Sequence, residues 1–243
     1  MNKIIYLFCI SICISCTSTQ IKNENYTVSD TAPELGSIGF TQLEIRGGAK
    51  FEVKSLPKLE SSIRLAIDVI PFNSKTYKIH NKKARYNQDQ TKINYSDSLL
   101  MKPELVTIGI MDFVKLVSEI NGEQNEELFR FLKNTEESKI VTSLSCVFSA
   151  EDIQKIKQSD AYYLNEFQDN RCAIELYKLG KKTEVIFISS AQVLAYKTSK
   201  FCWGITDRGK WYIADIINSN SACKGKTALK IKNKKADKNL FDL

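Results

Sequence analysis

The side chains of this 243-residue chain that could do chemistry are few, and their spacing limits what that chemistry is. There is one histidine, His80, so any Ser-His or Cys-His nucleophile would have to use it. Its neighbours Lys78, Asn81, Lys82 and Lys83 imply an exposed, cationic turn, and a histidine-dependent hydrolase is not expected. Paired carboxylates can cleave a glycosidic bond without histidine. The pair best suited to that work is Glu166 and Asp169, with Tyr162 and Tyr163 just upstream. Acidic loops between strands are common, so sugar binding by these residues is favoured over catalysis. The run Lys75 to Tyr86 interleaves Tyr77, Lys78, Ile79, His80, Lys82, Lys83 and Arg85, a mixture that can grip polyanions through charge and stacking. Read at period two it also describes the wet face of a surface hairpin, which is the favoured reading. No P-loop, G-x-G-x-x-G, G-x-S-x-G, H-E-x-x-H or EF-hand pattern occurs, and no cofactor is expected.

The first fifteen residues carry one charge, Lys3, then an apolar run from Ile4 through Ile14, with small Ser15 before Cys16. A membrane-spanning helix needs about 20 apolar residues. This run stops short of that at Thr17-Ser18-Thr19, which is the pattern of a secretory signal peptide. Cys13-Ile14-Ser15-Cys16 resembles the lipobox of bacterial lipoproteins, in which the cysteine after a small residue becomes the acylated first residue. The position three before the cysteine, usually aliphatic, is here Cys13. The resemblance implies an envelope protein anchored through Cys16 to membrane lipid, expected at the outer membrane. Acyl chains contribute about 0.8 kcal/mol per buried methylene, so a multiply acylated cysteine holds a domain at a bilayer. Residues 16–35, rich in Ser, Thr and Asn, read as a flexible tether.

That address conditions the remaining cysteines. Cys146, Cys172, Cys202 and Cys223 would lie in an oxidising compartment, where up to two disulfides could form in three pairings. Proximity in sequence favours Cys146 with Cys172 and Cys202 with Cys223. None of the four stands in a C-x-x-C spacing, which argues against a metal site. The net charge of +7 is modest, and in an envelope protein it points to anionic lipid or polysaccharide rather than nucleic acid. Asp30-Thr31-Ala32 and Asp97-Ser98-Leu99 resemble three-residue O-glycosylation sites of some bacterial envelope proteins.

The elements that must position these groups are legible by periodicity. Ile38–Arg46 and Ala49–Lys54 flank Gly47-Gly48 as a hairpin. Ile63, Leu65, Ile67 and Val69 mark a half-buried strand ending at Pro71, and residues 75–96 read as exposed strands. Leu105–Met111 suits a central strand. Asp112 caps a helix stopped by Asn121-Gly122, a second helix spans about Gln124–Lys133, and Lys139–Phe148 is a strand. Ser149 and Asp152 form a capping box for a helix ending near Gln158. Two hairpins follow, Cys172–Ser189 and Lys200–Ile217; pairing Thr206 with Lys210 sets Ile205 against Trp211 and Trp203 against Ile213. Phe201, Trp203, Ile205, Trp211 and Ile213 then share a core face. Gly209–Ile216 resembles the closing strand of NTF2-like domains, which implies a curved sheet.

The expected fold is α+β, mainly antiparallel sheet with about three helices between residues 112 and 160. The expected organisation is a signal peptide over 1–15, the tether, a globular domain over 36–223 divisible near residue 100, and a basic tail over 224–243. The function expected is a membrane-anchored envelope lipoprotein whose domain binds or scaffolds an envelope protein or polysaccharide. The alternatives are a histidine-independent carbohydrate-active enzyme and an inhibitor or immunity-like partner protein.

Overall fold

Alternation along the central strands sets the architecture. On β6 (Glu104–Ile110), Val106, Ile108 and Ile110 enter the main hydrophobic cluster, while Leu105 enters a second one. On β7 (Lys139–Val147) the same split separates Cys146 from Val147, and on β11 (Gln192–Ile205) it separates Val193 from Leu194. Successive strand residues point to opposite faces, so the sheet is buried on both sides.

The computed structural model describes residues 18–28, 32–43, 49–84, 92–167 and 171–231. Among them twelve strands form one sheet, and every pairing is antiparallel, with the path β1-β2-β11-β7-β6-β5-β8-β9-β10. Here β1 is Ser18–Ile21, β2 Glu24–Val28, β5 Ile63–Pro71, β8 Ala161–Phe167, β9 Arg171–Lys178 and β10 Lys181–Phe187. Hairpin β3 (Ile38–Leu43) and β4 (Ala49–Ser55) joins the start of β7, and β12 (Trp211–Asn218) joins the end of β11. β5 pairs with both β6 and β8, so residues on either side of position 100 share one sheet. With four α-helices the class is α+β.

One face is covered by α2 (Phe113–Ile120), α3 (Glu126–Asn134) and α4 (Ala150–Lys157), which bury Leu116, Ile120, Leu128, Leu132, Ile153 and Ile156. Their starts follow the sequence. Asp112 accepts a hydrogen bond from the Lys115 amide at 2.9 Å, and Ser149 accepts one from the Asp152 amide at 3.1 Å. The other face is covered by α1 (Ser74–Ala84) and by the β1–β2 hairpin, whose Tyr26 hydroxyl lies 2.9 Å from Ser143 Oγ.

Those two covering elements correct the sequence reading. Residues 74–84 form a helix, not exposed strands, because Asn73 Oδ1 accepts the amides of Lys75 and Thr76 and so starts one. Thr76 and His80, four apart, then face the sheet, and His80 is 2% exposed with its ring edge-on to Phe72. The tether assigned from composition contains strands: Tyr26 and Ile21 are buried, and β2 pairs with β11. Polar composition misled because the face they cover is itself polar, with Ser143 meeting Tyr26 and Asp68 meeting Lys22 at 2.8 Å. The segment around Tyr162, Tyr163 and Glu166 is a strand, β8, rather than a loop. Ile205 lies outside the core at 53% exposure, although its pairing with Trp211, and that of Trp203 with Ile213, are as expected.

Candidate functional site

Lys139 opens β7 and Lys200 lies directly across from it on β11. Like charges opposite one another on neighbouring strands destabilise a sheet. Neither lysine is in a salt bridge among the described residues, and Lys139 donates only a long 3.4 Å hydrogen bond to Thr41. Burial, reinforced by the charge of Lys200, holds Lys139 below the usual lysine range.

The two ammonium groups border a cleft of about 450 Å³. Small-ligand sites run to roughly 300–1,000 Å³. Its floor carries Phe201 and Trp203, the latter edge-on to Phe129 at 5.6 Å between centroids. One wall is the end of α3 and the loop Thr135–Ser138, where Glu137 takes a left-handed backbone conformation with φ 65°. Such a conformation is uncommon outside glycine and is held by its surroundings. The opposite wall is Leu229–Ile231. This stretch, assigned to the basic tail, is fixed to the sheet by two backbone hydrogen bonds between Trp203 and Ala228, of 2.8 and 2.9 Å. Beside them the Cys202–Cys223 disulfide ties the same segment to β11. Lys230 meets Glu136 at 2.6 Å and links the two walls. Four lysines, 133, 139, 200 and 230, thus stand against two glutamates, 136 and 137, around an aromatic floor. The chemistry offered is capture of an anion by the ammonium groups.

The residues singled out from sequence are placed elsewhere. Tyr162 donates to the carbonyls of Ile156 and Ser159 at 2.8 and 3.0 Å, which seats the end of α4. Tyr163 packs edge-on against Tyr177. Glu166 Oε2 accepts the amide of Leu59 at 2.9 Å, so this carboxylate holds the β4–β5 connection. Asp169 and Cys16 lie outside the described residues.

Of the two expected disulfides, Cys202–Cys223 is present, and Cys146 with Cys172 is not. Three strands, β6, β5 and β8, separate β7 from β9 in the sheet order. At about 4.8 Å per strand this is far beyond a disulfide's reach. Both thiols are buried, and burial pushes each up to about 12. Lys139 and Lys200 were missed because each looks like an ordinary strand-end lysine; only the register between β7 and β11 brings them together.

Comparison with protein-family models, with curated proteins and with solved structures finds no match, which leaves the site to be read from its own chemistry.

Proposed function

We propose that this protein is an envelope lipoprotein, held at a membrane through acylated Cys16, whose α+β domain binds an acidic polysaccharide in the Lys139–Lys200 cleft. The observation that carries the binding role is the opposed lysine pair beside Trp203. Two facing cations with no salt bridge among the described residues cost stability, and a ligand carboxylate relieves that repulsion. The apolar leader ending in Ser15-Cys16 supports the anchor.

Titrating the full chain with a uronic-acid trisaccharide, read by tryptophan fluorescence, should give saturable binding that the neutral trisaccharide does not. Lys200→Ala should weaken it about ten- to hundredfold, the range for one charge-assisted hydrogen bond. Affinity should fall as pH rises through the depressed Lys139 value, because only the protonated amine attracts the carboxylate. Equal binding of acidic and neutral sugars would remove the role given to the lysines.

The anchor is tested separately. Cys16→Ala should abolish palmitate labelling; undiminished labelling would overturn it.

A further inference from the structure

We infer that the layer formed by α1 and the loop 92–103 is a bilayer-docking surface, which takes anionic phospholipid headgroups while the loop tip enters the acyl boundary. The inference rests on the anchor reading for its geometry. The described chain begins at Ser18, already in β1, so Cys16 lies two residues away, a reach of at most about 7 Å. A lipid on Cys16 therefore leaves no long tether, and the domain must lie close to the membrane.

The covering layers show which side faces it. The β1–β2 hairpin packs Ile21 and Tyr26 with Ile70, and α1 with its neighbouring segment packs around Phe72 and Leu105, again with Ile70. Both elements thus cover the same face of the sheet, opposite α2, α3 and α4.

The outside of this layer has the chemistry of a membrane interface. With Thr76 and His80 turned inward, Lys75, Lys78 and Lys82 form an exposed stripe at i, i+3 and i+7 of α1. Beside the stripe the loop exposes three consecutive apolar residues, Leu99 at 41%, Leu100 at 103% and Met101 at 90%. Lys102 follows, with its ammonium 5.9 Å from the centre of the Tyr95 ring. Between α1 and Tyr95–Asp97 runs an open cleft of about 510 Å³, bordered by Lys78 and Lys82. The acid in it, Asp97, is engaged by the hydroxyls of Ser74 and Tyr95. Apolar residues flanked by lysines bind anionic bilayers by partial insertion plus charge attraction.

Two measurements on the full chain test this. In the first, Leu100→Cys carries an environment-sensitive fluorophore in the acylated protein on phosphatidylglycerol vesicles; the native thiols Cys146 and Cys172 are buried, and unsubstituted protein controls for them. A blue shift is expected. Vesicle-bound protein without a shift overturns docking and leaves the anchor standing. A shift that grows with protein concentration without lipid identifies a second copy as the occupant and also overturns docking. In the second, the Cys16→Ala chain should still sediment with anionic but not zwitterionic vesicles. Lys78→Ala and Lys82→Ala should each weaken that binding about fivefold, and Leu100→Ser with Met101→Ser more. Binding indifferent to all four substitutions overturns docking, whatever labelling at Cys16 shows.

Discussion

Replacing Asn125 with leucine should lower the unfolding free energy by about 3 kcal/mol, because one buried and two part-buried backbone groups lose their partner at about 1–3 kcal/mol for the buried one and less for the others. Asn125 is 3% exposed, and its side chain works in both directions. Oδ1 accepts the Lys58 amide at 2.8 Å, while Nδ2 donates to the Lys58 carbonyl at 2.8 Å and to the Glu119 carbonyl at 2.9 Å. Glu119 adds a fourth tie, its carboxylate accepting the Glu60 amide at 2.8 Å. Together they clamp the β4–β5 connection to the corner between α2 and α3. Leucine has the same number of side-chain heavy atoms and a similar branched outline, so the lost polar ties are the main effect. Urea unfolding followed by tryptophan fluorescence measures the change; a loss under about 1 kcal/mol would mean that water replaces the amide.

Breaking the Cys202–Cys223 disulfide should cost about 3 kcal/mol, the chain-entropy expectation for a loop of this length. The two cysteines are 21 residues apart, and the closed loop includes β12, an edge strand. The functional consequence is expected to be larger than the stability alone suggests, since Leu229–Ile231 forms a wall of the cleft and follows Cys223 closely. Cys223→Ser should therefore weaken acidic-sugar binding at least tenfold while the remaining sheet stays folded. Thermal melting with and without reductant reads the first effect. Thiol titration of the unfolded chain should find two more reactive groups after reduction, and equal counts would show that the bridge does not form.

The elements that were legible share a physical basis: their local signal and their tertiary role agree. Asp112, Ser149 and Asn121-Gly122 bound α2 and α4 because capping is a local interaction, visible in four residues. Even there the fold adds a second role, since the Asn121 side chain also bonds both backbone groups of Ile213, at 2.8 and 2.9 Å, and fixes the edge strand β12. Where signal and role conflict, sequence reading went astray. The lysines of α1 alternate with apolar residues closely enough to imitate a strand, and only burial of Thr76 and His80 against the sheet selects the 3.6-residue period. Glu166 shows a related difficulty, because a carboxylate satisfying one distant backbone amide is indistinguishable in sequence from a reactive one.

By itself the sequence determined the α+β class, the three helices of the main face and the register of the last hairpin. These depend on period, caps and turns, which act over a few residues. Tertiary structure decided which cysteines meet, since pairing depends on strand order across the sheet. It decided that residues 18–28 pack as strands, and that Lys139 faces Lys200. A lysine pair 61 positions apart in the chain becomes a site only when two strands fix its register, and no local signal encodes that distance.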